Sequence, residues 1–189
     1  MKKRILFSVL TLFLLFVGLQ PVHAQESFTI EHYDIQIEVS EDGVYTVTET
    51  LDVQFQQSSH GLNLTLPKRY RNVTWAIGDK VVNRSYVYPI DHIEVLSGHE
   101  VKISDEDDYY NLRLGSADTY AQSSESYKIR YQVHTRDLKL GGIQSFYWNL
   151  ISVNWDTTIK KVTFRVTMPK PFDADQLYFY SDLPQDQFQ

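Results

Sequence analysis

No cysteine occurs anywhere in the 189-residue chain. Disulfides, a thiol nucleophile, a cysteine-based metal site and a lipid-carrying cysteine at an export boundary are thereby excluded, and a folded domain must be held by its core alone. Cationic charge is also scarce: 18 Lys and Arg face 24 Asp and Glu, for a net charge of −6. An acidic surface repels polyanions, so nucleic acid is not an expected partner. After residue 24 no long apolar run appears, and no Gly/Ser/Pro-rich linker divides the chain. Repeats at periods of about 20 to 50 residues are missing, and so is the apolar spacing of an amphipathic helix.

The first 24 residues have a different character. "MKKR" is basic, "ILFSVLTLFLLFVGL" is apolar, and "QPVHA" places small residues at Val22 and Ala24. That order predicts a secretory signal peptide over 1–24, cut after Ala24. The apolar run Ile5 to Leu19 reaches only about 22 Å as a helix, against about 30 Å of hydrocarbon, so it is short for a membrane anchor. Its removal takes away Lys2, Lys3 and Arg4, which moves the net charge from −6 to −9. Residues 25–189 then form a single expected domain, large enough for a proper core. Asn-x-Ser/Thr triplets at Asn63, Asn72 and Asn83 read as chance occurrences in a Thr-rich β protein.

What the mature chain does contain is alternation. In "YDIQIEVS" Tyr33, Ile35, Ile37 and Val39 are apolar and the residues between them polar, the period of a half-buried strand. Asp42-Gly43 makes a turn, and "YTVTETLDVQF" returns with Tyr45, Val47, Leu51, Val53 and Phe55 on one face. "GLNLTLP", "VTWAI", "YYNLRLG", "YKIRYQVHT" and "KKVTFRVTMP" read as further strands, "DHIEVLSGHEVKIS" as a hairpin turning at Ser97-Gly98, and "QLYFYS" as a last short strand. About nine strands with turn signals between them predict an all-β fold, an antiparallel β-sandwich.

"FYWNLISVNW" carries aromatic and apolar residues on both sides of its alternation, which predicts a strand covered on two faces. Phe146, Trp148 and Trp155 are therefore expected in the structural core with Tyr131 and Phe164, and the Trp155 indole N–H needs a partner. The alternative is an exposed sugar-stacking platform. Glu49 is the one acid on the inward face of its strand and is costly to ionise alone. A buried ion pair with Arg69 or Arg71 from "PKRYR" is the expected solution, and a perturbed catalytic acid is the rival. The run Asp105, Glu106, Asp107 and Asp108 lacks the turn glycine and distal acid of a calcium loop and reads as a solvated turn. His32, His60, His92, His99 and His134 show no paired ligand spacing, and no nucleophile elbow or phosphate-cradling glycine loop is present. No catalytic residue, metal or cofactor is expected.

Four stretches together carry a resemblance: "YDIQIEVSEDGVYTVTETLDVQF", "HGLNLTLPKRYRNVTW", "TRDLKL" with "FYWNL", and "NWDTTIKKVTFRVTMP". In order and spacing, over roughly residues 28 to 170, the chain resembles the extracytoplasmic N-terminal domain of a family of predicted bacterial membrane proteins, domain of unknown function 2207. The resemblance implies a surface-facing protein of Gram-positive bacteria and supplies no established activity. Two departures stand out. Ser152 takes the place of a turn glycine. The family also runs on into more β structure, membrane-spanning helices and a low-complexity tail, so the unit 25–189 is expected to be truncated at its C-terminal end.

These readings converge on an exported, non-catalytic β-sandwich at the cell envelope, an interaction or structural module of a membrane-associated protein. The expected partner is another envelope protein or a wall polymer. Membrane contact is expected only through the signal segment or distal helices. The alternatives are a carbohydrate- or wall-polymer-binding module using exposed aromatics and the basic run Lys68 to Arg71, and a hydrolase with loop-borne acids.

Overall fold

A computed structural model describes residues 27–77, 80–135, 148–151, 155 and 157–171. Among these the secondary structure is β throughout: β1 (Phe28–Val39), β2 (Val44–Phe55), β3 (Leu62–Pro67), β4 (Arg69–Ile77), β5 (Lys80–Val87), β6 (Ile90–Val95), β7 (Val101–Asp105), β8 (Tyr109–Leu114), β9 (Ser124–His134) and β10 (Val162–Thr167). No described helix is long and apolar enough to cross a membrane.

Three sheets result. The largest has the order β10-β1-β2-β9-β6, a second the order β3-β8-β7, and β4 pairs with β5 alone. Alternation decides the interior. Tyr33, Leu51 and Tyr127 lie in register across β1, β2 and β9, as do Ile35, Glu49 and Ile129, and Ile37, Val47 and Tyr131. All nine side chains are buried on one side of the large sheet. The eight apolar and aromatic ones share one core with Leu62, Leu64 and Leu66 of β3 and Leu112 and Leu114 of β8. The opposite side of the large sheet carries Thr46, Thr48, Thr50, Asp34, Lys128 and Arg130, the polar set that a two-residue period requires.

Two glycines let β3 begin beside the end of β8. Gly61 and Gly115 have φ of +129° and +126°. A Cβ on Gly61 would sit 1.9 Å from the Leu114 carbonyl oxygen, and one on Gly115 would sit 2.3 Å from that of His60. Only glycine allows both the conformation and the approach.

Several expectations need correction. β6 and β7 do not form a hairpin. The Leu96 and Ser97 N–H groups donate to the Lys128 carbonyl and hold β6 on β9, while Gly115 N–H donates to the Glu100 carbonyl and draws β7 to β8. β5 was not foreseen, because adjacent Val81-Val82 and the polar run Asn83 to Ser85 interrupt the alternation. β10 runs parallel to β1, so the large sheet is mixed rather than antiparallel. A period of two marks a strand but not its direction. Trp148 to Leu150 is irregular chain, not strand. Phe164 faces the core side, paired with Ile35, yet is 40% exposed, because β10 is an outer strand of its sheet. Phe146, the "TRDLKL" stretch and "QLYFYS" lie outside the described residues.

Candidate functional site

The most constrained polar group is Glu49, 3% exposed in the middle of β2. Its direct neighbours across the sheet are Ile35 and Ile129, which offer it nothing. Its diagonal neighbours are Tyr33 on β1 and Tyr131 on β9. The Tyr33 hydroxyl donates to Oε2 at 2.6 Å and the Tyr131 hydroxyl to Oε1 at 2.5 Å. Diagonal positions lie within reach of long aromatic side chains, so the register itself builds this site. Burial raises the Glu49 carboxyl above its ordinary range, and the two phenol hydrogen bonds pull it partway back. Burial and the adjacent carboxyl together push both phenols well above theirs.

Aromatic rings enclose the trio. Trp155 packs against Tyr33 at 5.9 Å between centroids, and Trp148 against Tyr131 at 6.3 Å and Tyr70 at 6.2 Å. The Trp155 indole N–H donates to the Asn63 carbonyl oxygen at 2.7 Å. Trp148 is buried and Trp155 half-buried.

The expected ion pair of Glu49 with Arg69 or Arg71 is not formed. Both arginines open β4, and β4 starts where β3 ends, opposite the β7–β8 turn. Pro67 pairs with Tyr109, and the Lys68 and Arg69 N–H groups donate to the Asp108 carbonyl oxygen. This register sets the basic run beside the acidic run. Arg71 grips Asp108 through two nitrogens, Nη2 to Oδ1 at 2.7 Å and Nε to Oδ2 at 3.2 Å, and reaches Asp107 at 3.0 Å. Arg69 Nε lies 3.2 Å from Asp108, and Lys68 bonds Asp105 while resting over the Tyr110 ring. The hydrogen bonds and charge of Arg71 hold the Asp108 carboxyl below its ordinary range. Asp105, Asp107 and Asp108 are thus ion-paired rather than merely solvated.

The described histidines lie at or near the surface, two of them at one carboxylate. Asp91 Oδ1 meets His92 Nδ1 at 2.7 Å and His134 Nε2 at 2.9 Å, a hub at the β6–β9 bulge where His92 has φ of +49°. No sequence spacing announced it, since the bulge brings the three together. On the polar side of the large sheet, His32 Nε2 lies 2.8 Å from Thr163 Oγ1 and Nδ1 lies 3.9 Å from Asp52. This looks like an acid–base–hydroxyl series, but the Thr163 hydroxyl already donates to Asp34 at 2.6 Å. His32 is therefore the donor to Thr163 and does not activate it. Among the described residues no group of three His, Asp or Glu could hold a metal ion.

No curated protein matches the chain. Weak likenesses occur among solved structures. The M1 zinc metallopeptidase from Deinococcus radiodurans is 13% identical, with 79% of this chain and 34% of that one covered and a TM-score of 0.38. Aminopeptidase A from Legionella pneumophila in complex with aspartic acid is 10% identical, with 78% and 16% covered and a TM-score of 0.35. Native leukotriene A4 hydrolase from Saccharomyces cerevisiae is 12% identical, with 61% and 17% covered and a TM-score of 0.34. The chain thus spans a minor part of each, and scores this low carry nothing about activity. The sequence itself is decisive where those likenesses are not: the family model described as "Predicted membrane protein (DUF2207) N-terminal domain" matches residues 29–188, and the chain belongs to that family.

Proposed function

We propose that this chain is the extracytoplasmic, non-catalytic β domain of a bacterial membrane protein, exported by its first 24 residues and acting as an interaction or structural module at the cell envelope. One observation carries the reading. The acidic groups that the sequence singles out serve the fold, with Glu49 closed in by two core tyrosines and the acidic run engaged by three cations.

The cysteine-free sequence gives a clean test. In a Gram-positive host, exposed Asp118 is changed to Cys in the full-length protein, and intact cells are treated with a membrane-impermeant maleimide. Labelling of intact cells and a mature N-terminus at Gln25 are expected. Labelling only after lysis would place the domain on the wrong side. Rescue of a deletion phenotype by the Glu49→Gln variant is also expected, whereas a folded but inactive variant would favour a hydrolase.

A second reading, a glycan-binding module, draws on Tyr120. Its ring is 64% exposed and stacks on His60 at 4.3 Å. Loss of wall-polymer retention in Tyr120→Ala, with unchanged melting, would favour it.

A further inference from the structure

β7 is an outer strand with β8 as its sole neighbour among the described strands. Val101 and Ile103 stand opposite Leu114 and Leu112, which puts them on the core side of their sheet. Leu112 and Leu114 are fully buried, yet Val101 and Ile103 are 38% and 42% exposed. The core therefore stops under β8 and leaves two branched apolar side chains on a shelf.

The other side of β7 is unusual in charge. Lys102 stands directly opposite Arg113, with Asn63 next across the sheet. Like charges directly opposite on an antiparallel pair are destabilising. Lys68, Arg69, Arg71, Arg130 and Lys160 each lie within 4 Å of a carboxylate. Lys102 and Arg113, like Lys128, Lys161 and Arg165, make no such contact among the described residues, but they alone face each other directly across a strand pair, and Arg113 Nε is buried without a hydrogen-bond partner. An acidic protein thus keeps an unneutralised cation pair at the edge of a sheet. A lone edge lysine commonly guards against aggregation. That role needs no second cation across from it.

We infer that the open edge of β7 receives an extended segment of another protein chain in which apolar residues alternate with acidic ones. This rests on the interaction-module reading and specifies its partner. Strand addition supplies main-chain hydrogen bonds to the free edge, while alternate side chains give specificity. In this register one set of side chains covers Val101 and Ile103 and carries the core outward. The other set brings carboxylates beside Lys102, whose inner neighbour is Arg113.

NMR titration of the isotopically labelled protein tests it. The probe is a capped Val-Glu-Val-Glu-Val peptide at up to millimolar concentration. The controls are a Val-Lys-Val-Lys-Val peptide and an acidic peptide N-methylated on alternate residues. Saturable shifts confined to residues 101–105 and the facing β8 residues are expected, at least tenfold stronger for the acidic peptide. N-methylation should abolish them, and Lys102→Glu should reverse the charge preference. Equal response to both charges, survival of binding after N-methylation, or no shift at β7 would overturn the inference. So would dimerisation of the free protein through residues 101–105, which would make a second copy the occupant. The cell-surface labelling and the Glu49→Gln rescue are read without Lys102, so a failed titration removes this edge and leaves the module reading intact.

Discussion

Glu49 turns a sequence oddity into a pH-dependent term in stability. Burial raises its folded-state pKa above the ordinary glutamate value of about 4.3. Between those two values the native chain keeps a proton that the unfolded chain has released. Its contribution is therefore fully present below the unfolded value and is lost as pH rises through the folded one. Asp34, Asp91 and Asp108 act in the opposite sense, since their depressed values give stability above the unfolded pKa that is lost on acidification. Comparing wild type with Glu49→Gln isolates the first effect. The variant should gain melting temperature relative to wild type as pH rises from 5 to 8, and a constant difference at every pH would mean that Glu49 titrates alike in the folded and unfolded chains. Tyr33→Phe removes one donor and should cost about 1–3 kcal/mol. Trp148→Ala should cost about 3–5 kcal/mol, the range for emptying a large core site; normal melting would put the indole outside the load of the core. That Glu49 faces inward was legible from its place between Val47 and Leu51. Its partners were not, because charge alone points a carboxylate to a cation, whereas the diagonal register delivers Tyr33 and Tyr131.

At the level of elements, the pairing of β3 with β8 explains why the basic and acidic runs meet. Their side chains remain largely solvent-exposed, so solvent and salt screen the attraction. Asp108→Asn should lower the melting temperature modestly at low ionic strength, and the difference should vanish near 1 M salt, where the screening length is about 3 Å. A deficit that persists at high salt would point to lost hydrogen bonds instead. Calcium would have to displace Lys68, Arg69 and Arg71 from these carboxylates. Millimolar calcium should therefore leave melting unchanged, and a rise of several degrees abolished by Asp105→Ala would contradict this. Both runs were visible as composition. Their mutual engagement was not, because it depends on a strand register linking positions 37 apart. The strands themselves were legible wherever apolar and polar residues alternate strictly, as in β1, β2 and β9. Pairing failed where a turn signal such as Ser97-Gly98 turns the chain without pairing the strands on either side.

For the whole molecule, the least foreseeable feature is the arrival of β10 beside β1. Lys160 pairs with Glu31, Thr163 donates to Asp34, and the Tyr33 N–H donates to the Lys161 carbonyl. A chain ending before Lys160 should lose these ties and expose β1 as an edge. Its N-terminal strand should then be cut faster by protease, and its melting should drop; unchanged digestion would show that β10 is dispensable. Local alternation cannot announce such a partnership, which rests on positions 129 apart.

That separation also puts the strands in a time order. β1 is the first described strand to leave the ribosome, and its outer neighbour is the last. Until β10 has emerged, β1 has β2 on one side and bare backbone on the other. Contacts between such distant positions bear a loop-closure cost before they return anything, which slows folding. Among the described strands the docking of β10 thus comes last, and a chain caught before that step offers its N-terminal strand to any neighbour that can pair with it.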